Sequence, residues 1–162
     1  MTMGGAKMTL AKINQKPLSV AGAAKREVRT QFGALCYRIR DGKVQILLIT
    51  SRGLGNWIIP KGWPMEGETP AAAAATEARE EAGATGKLSH QVVGFYSYTK
   101  NHEGDDLPCV VAVFPLKVTK LLNDYPEKSE RKRRWVSQKK AADLVVEPEL
   151  RRIIKGFAPK ID

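Results

Sequence analysis

Residues 62–84 read GWPMEGETPAAAAATEAREEAGA, and the second part of that stretch is a helix with both ends marked. Thr69 is a favoured N-cap, and Pro70 suits the first helical position, where its missing N–H is not needed. Gly83 or Gly86 can take the left-handed conformation that ends a helix. The spacing predicts a helix over residues 70–83. On it Glu77, Glu80 and Glu81 stand at i, i+3 and i+4, which gathers three carboxylates on one face within a turn. Like charges so placed repel. A hard divalent cation with oxygen ligands, magnesium or manganese, would relieve them; a solvated acidic face is the alternative for an ExxEE stretch standing alone. The preceding loop, KGWPMEGETP (residues 61–70), is rich in Gly and Pro and follows no period. Its carbonyls can bend inward as further ligands. Carboxylates, a cation, such a loop and basic side chains elsewhere together suit metal-assisted phosphoryl chemistry.

Working outward, FGALCYRIR (residues 32–40) and KVQILLIT (residues 43–50) are strand-like and joined by Asp41-Gly42, a tight hairpin turn. Downstream, KLSHQVVGFYSYTK (residues 87–100) and LPCVVAVFPLKV (residues 107–118) read as two strands around the acidic loop NHEGDD (residues 101–106). RKRRWVS (residues 131–137) reads as a short strand. QKKAADLV and PELRRIIKGF read as two helices, the second started by Pro148 and amphipathic through Leu150, Ile153, Ile154 and Phe157. The order of elements lacks the regular spacing of a βαβ array, so a mixed sheet flanked by helices is expected.

The chain has 162 residues, 43% hydrophobic and 27% charged, which suits one globular domain. Cys36 and Cys109 lie in apolar runs with no CxxC or His partner, as small core residues of a reducing compartment would. No apolar run is long enough to span a bilayer, and the first thirty or so residues lack a secretory h-region. A cytoplasmic protein without a membrane partner is expected. The formal charge of +10 sits at the two ends. Residues 1–29 carry Lys7, Lys12, Lys16, Lys25, Arg26 and Arg29 against Glu27; residues 30–125 balance; residues 126–162 are again basic. This asks for an anionic partner, either nucleic acid or a polyanionic substrate. Residues 1–26, without an apolar period, read as a mobile basic arm ahead of a domain over residues 27–162.

The stretch over residues 62–84 resembles the signature of the Nudix hydrolases, G-x5-E-x7-R-E-U-x-E-E-x-G-U, where U is a bulky apolar residue. Gly62, Glu68, Glu77, Glu80, Glu81 and Gly83 fall on signature positions. Thr76 stands where the family has Arg, and Ala78 and Ala84 replace the bulky residues. The resemblance implies an α/β fold, an α/β/α sandwich around a mixed sheet. It also implies hydrolysis of a diphosphate by a water that a magnesium or manganese ion and a carboxylate activate. Glu77 and Glu81 would then be the main metal ligands, Glu80 a further one, and the carbonyl of Lys61 or Gly62 another. Glu81 or Glu80 would be the base, although some relatives take it from outside the box, where Glu103, Asp105 and Asp106 are candidates. Glu68 and Gly83 would shape the loop. The family Arg pairs with the residue that is Glu68 here, so Thr76 leaves that carboxylate without its partner.

RKRRW (residues 131–135) and Arg52 resemble the corresponding segments of the diphosphoinositol polyphosphate phosphohydrolase branch, which also accepts diadenosine polyphosphates. Arg131 and Arg133 would share one strand face, and with Arg29, Arg52 and Lys61 they are the candidate substrate-binding cations. An exposed basic strand edge is the alternative for RKRR. The resemblance points to a polyphosphorylated small molecule as substrate, with nucleic acid at the basic termini less favoured. A nucleotide-sugar or RNA-cap pyrophosphatase, or a catalytically impaired scaffold that binds RNA, are the rival readings. Trp57 should pack beneath the loop, whereas Trp63 could stack on a base or line the entrance. His90 and His102 receive no role.

Overall fold

A computed structural model of the chain describes residues 28–102 and 105–161. The expected arm over residues 1–26 and the candidate base Glu103 lie outside the described residues. β1 (Arg29–Arg40) and β2 (Lys43–Thr50) form the expected hairpin, with Tyr37 opposite Ile46 and Arg40 opposite Lys43. Its turn residues take φ of 52° at Asp41 and 72° at Gly42, the twist that suits antiparallel strands. Alternation along both strands then builds two cores. Ala34, Cys36, Leu47 and Ile49 face one layer, and Leu35, Ile46 and Leu48 face the other.

α1 (Pro70–Ala82) covers the first face. Its buried apolar positions are Ala71, Ala73, Ala74, Ala78 and Ala82, small enough to let the helix lie close on the sheet. The bulk in this layer comes from Phe32 and Phe114, packed edge to face with ring centroids 6.2 Å apart, which accounts for Ala78 and Ala84 being small. The caps are those expected. Thr69 Oγ1 accepts from the Ala72 N–H at 3.1 Å, and Gly83 closes the helix at φ 64°. Thr69→Ala should cost about 1 kcal/mol, read as a lower urea midpoint with an unchanged slope. α2 (Gln138–Leu144) and α3 (Pro148–Gly156) cover the second face with Ala141, Ala142, Leu150 and Ile154, so the layers are α/β/α.

The sheet is completed by β3 (Trp57–Ile58), β4 (Lys61–Gly62), β5 (Ala84–Leu88), β6 (Gly94–His102), β7 (Asp105–Leu121) and β8 (Arg133–Ser137). Its path runs β3-β2-β1-β7-β5, with β4 on β1, β6 on β7 and β8 on β2. β1 and β7 are parallel, Arg29 opposite Cys109 through Tyr37 opposite Lys117, and the other pairs are antiparallel. The sheet is mixed, as expected. The feature that positions the site is a change of partner along β1. Residues 37–40 pair with β2, whereas Phe32 and Gly33 pair with β4. β2 has therefore diverged from β1 at the end where β4 enters, and a cleft opens there.

Three strand expectations are corrected. Residues 87–100 are not one strand, because β7 is 17 residues long and is paired piecewise as it twists, by β6 over residues 105–113 and by β5 over residues 116–121. The Ser89 and Val93 N–H groups donate to the Pro115 and Val113 carbonyls across the break. The acidic segment over residues 101–106 is mostly ladder, since main-chain pairing continues to His102 opposite Asp105. β8 begins at Arg133 rather than Arg131, although Arg131, Arg133 and Trp135 remain the less exposed set against Lys132 and Arg134. Both cysteines are buried and unpaired. Among the described residues no helix is long and apolar enough to cross a membrane.

Candidate active site

β4 lays Gly62 directly against the Glu77 side chain of α1, so a Cβ at position 62 would occupy the space of the Glu77 carboxyl. The residue before it is tied to the next carboxylate, the Lys61 N–H donating to Glu81 Oε1 at 3.4 Å. One helical turn, i to i+4, brings Glu77 and Glu81 within hydrogen-bond reach of each other. Burial, then the bond to Glu77, push the Glu81 carboxyl up to about 8. Burial raises Glu77 as well. Two crowded carboxyls, both shifted upward by burial, form an oxygen-only donor pair, and the missing Cβ at Gly62 leaves backbone beside them. These features fit a hard cation. Among the described residues no three acidic, His or Cys side chains converge to hold an ion by themselves. What converges is the Glu77–Glu81 pair with the Lys61-Gly62 backbone.

The pair forms one wall of a cavity of about 530 Å³. Arg131 sits beside it with its side chain 8% exposed, Nε on Glu127 Oε1 at 2.8 Å and Nη2 at 3.8 Å from Glu81 Oε1. Its Nη1 donates to the Thr50 carbonyl at 3.1 Å. Lys61 projects into the same cavity over the Tyr98 ring, 4.8 Å from its centroid, and burial holds its ammonium below the ordinary range. Tyr98 donates to Gln31 Oε1 at 2.6 Å. Arg52 is at the mouth, 3.0 Å from Glu130 and well exposed. Lys100 also lines the cavity.

The remaining candidates lie elsewhere. Glu80 is on the same turn of α1 but is not in the cavity wall; its carbonyl accepts the Glu127 N–H at 3.0 Å, which docks the segment carrying Glu127 onto the helix. Arg133 is turned away, donating to the Ala82 carbonyl at 2.8 Å and stacking on Tyr125. Gly83 is the reason it can do so, because a Cβ there would meet both Tyr125 and Arg133. Arg29 is outside the wall, opposite Cys109 in the ladder, with a buried Nε that has no partner. Asp106 is an exposed strand residue that does not line the cavity. Glu68 is exposed on the loop, whose turn is held by its N–H on the Met65 carbonyl, and the Thr76 hydroxyl donates back to the Ala72 carbonyl. The loop thus stays on the helix through the Thr69 cap and Met65, without an Arg at position 76.

Gln31, Lys100 and Glu127 line the cavity although nothing in the sequence singles them out, and Tyr98, which its strand position suggests is a core or sheet-surface residue, lines it too. Strand alternation could have placed Lys100 on the Tyr98 side of β6. No local pattern marks Glu127.

The sequence profile described as the NUDIX domain matches residues 29–157. The chain belongs to the NUDIX domain family. It is 32% identical over 119 residues to "Nudix hydrolase 12, mitochondrial" of Arabidopsis thaliana, covering 71% of this chain and 59% of that protein. It is 30% identical over 122 residues to human "Diphosphoinositol polyphosphate phosphohydrolase 2", covering 74% of this chain and 64% of that one. The chain therefore spans roughly three fifths of the length of these NUDIX relatives. Solved structures share its fold. A Caenorhabditis elegans Ap4A hydrolase binary complex aligns at TM-score 0.59 and 21% identity, over 79% of this chain and 93% of that one. The NUDIX domain of Shewanella oneidensis NrtR, complexed with ADP ribose, aligns at TM-score 0.59 and 14% identity, over 94% and 95%.

Proposed function

We propose that this NUDIX protein hydrolyses a phosphoanhydride bond in a highly phosphorylated small molecule, a diphosphoinositol polyphosphate or a diadenosine polyphosphate. One observation carries the reading: a buried carboxylate pair, Glu77 and Glu81, and the cationic side chains Lys61, Lys100 and Arg52 line one cavity. The names of the relatives point the same way. A magnesium or manganese ion held by Glu77, Glu81 and the Lys61 or Gly62 carbonyl, with Glu80 nearby, would neutralise phosphate charge and acidify a water. Glu81 accepts the proton of the attacking water at its carboxylate, with Glu80 as the alternative base. Arg131, already committed to Glu127 and Thr50, orients Glu81 and adds positive charge beside it. The Lys61 and Lys100 ammonium groups, which among the described residues make no ion pair with an acid, hold phosphate oxygens, while Arg52 can exchange its exposed pair with Glu130 for a phosphate.

The test is phosphate and nucleotide release from diphosphoinositol polyphosphates, diadenosine polyphosphates, ADP-ribose and capped RNA, with magnesium or with chelator. Magnesium-dependent turnover of a substrate with many phosphates supports the reading. Preference for one with two phosphates moves it to a nucleotide-sugar or cap pyrophosphatase. Salt-sensitive RNA binding without turnover replaces it with the impaired scaffold. Gly62→Ala should lower kcat/KM about 100-fold in a folded protein, because the new methyl displaces the Glu77 carboxyl. Kinetics with circular dichroism check this.

A further inference from the structure

At the end of the sheet away from the catalytic cavity, the β1–β2 turn, the start of α2 and the tail beyond α3 frame a second cavity of about 520 Å³. β1 spans about 20 Å between the two, from Gly33 beside β4 to Arg40 beside the turn. The floor of this groove is apolar. Val44 is half-buried against the second core, and Ile161 belongs to neither core and keeps 53% of its surface exposed. Around them stand Lys43, Lys139 and Lys155, and no acidic side chain lines the groove. All three lysines are exposed, and among the described residues none makes an ion pair. The polar side chains of the wall are already used. Ser137 Oγ accepts the Lys140 N–H at 3.1 Å, and Gln138 Nε2 donates to the Ile154 and Phe157 carbonyls at 2.8 and 2.7 Å.

A surface that binds nothing intersperses charges of both signs, as Arg52 and Glu130 do at the other cavity. Three cations around one groove repel each other, and an anion seated among them relieves the repulsion. A bare phosphate would answer the lysines but bury nothing on Val44 and Ile161, and a purely apolar ligand would leave the lysines unmatched. Carboxylates flanking a bulky apolar side chain meet both demands. We propose that this groove docks an acidic segment of a partner protein, its apolar side chain against Val44 and Ile161 and its carboxylates on Lys43, Lys139 and Lys155. The separation along β1 leaves the Glu77–Glu81 cavity open while the partner is bound. Docking here is independent of the hydrolase reading.

The probes are fluorescein-labelled octapeptides of Asp and Glu with Phe-Leu, Leu-Leu or Trp-Ile at the centre, and a control with Gly-Ser there. Anisotropy at about 0.15 M salt screens long-range attraction to the basic chain. At least one apolar-centred peptide should bind with micromolar Kd, about tenfold or more tighter than the control. Lys43→Glu with Lys155→Glu should weaken it about tenfold or more. Lys87→Glu with Lys120→Glu, the same charge change on exposed lysines of β5 and β7, should cost less than about twofold, and Ile161→Ser should lose several-fold. Amide shifts on binding should cluster at Val44, Lys139 and Ile161 and spare Lys61 and Glu77. The proposal is overturned if no apolar-centred peptide binds below about 1 mM, if the Gly-Ser control binds as well, if both double variants lose equally, or if the shifts cluster at Lys61. A labelled uridine dodecamer that loses more affinity than the peptides in Lys43→Glu with Lys155→Glu makes the groove a nucleic-acid site and overturns it. Self-association of the wild type that this double variant abolishes makes it a contact between copies, which overturns it too.

Discussion

Glu81→Gln loses on the order of 10³-fold in kcat while the protein stays folded. The amide can still accept the Lys61 N–H, but it can neither take a proton from water nor contribute charge to a cation. Retention of more than about a tenth of wild-type kcat would remove Glu81 from the chemistry. The same substitution has a second consequence in chelator. The Glu81 carboxyl rises from 4.5 to about 8 on folding, by burial and then by its bond to Glu77. A raised carboxyl binds its proton more tightly in the folded chain, so it opposes folding increasingly as pH climbs from the unfolded value towards the folded one. Metal-free wild type should therefore lose Tm between about pH 5 and pH 8, and Glu81→Gln should flatten that slope. Excess magnesium should restore the wild-type Tm most at the alkaline end and the variant little. Thermal melts across pH, with and without magnesium, read all three.

Arg131→Ala destabilises by about 3–5 kcal/mol, far more than an exposed arginine would. Its guanidinium is 8% exposed and spans Glu127, Glu81 and the Thr50 carbonyl. Truncation removes the cation that lies in ion-pair contact with both Glu127 and Glu81 in a poorly solvated wall. Arg131→Lys should recover only part of the loss, because a single ammonium cannot reach in three directions as a planar fork does. Urea midpoints measure both. A loss below about 1 kcal/mol for Arg131→Ala would mean that the contacts are no stronger than a surface pair. Arg131 also holds the Glu81 carboxyl down against burial, so the variant's activity should appear at higher pH.

Legibility followed sequence distance. The hairpin, the helix with both caps and the spacing of Glu77 and Glu81 depend on neighbours a few residues apart, and the local chemistry of Asp41-Gly42, Thr69 and Gly83 specifies them. The cavity walls depend on contacts across about 20 to 80 residues. Lys61 meets Glu81 because two residues of β4 pair with β1, and a two-residue strand has no period to read. Glu127 acts through the Glu80 carbonyl and Arg131, yet in sequence it is one more charge in a polar turn. Arg133 shows the converse: alternation puts it on the face of Arg131, but a free helix-end carbonyl and the Tyr125 ring lie within its reach. Period alone assigns a side, not a partner.

The parallel pairing of β1 with β7 joins residues 29–37 to residues 109–117, with the hairpin, the loop and α1 all between them. Closing so long a segment is entropically costly before any ladder bond rewards it. The β1–β2 hairpin and α1 can form early from local contacts, but the central strand pair must wait for most of the chain. A growing polypeptide thus carries Glu77 and Glu81 well before it has the sheet that buries them, and since burial is what raises their proton affinity, that affinity comes only with the last strands.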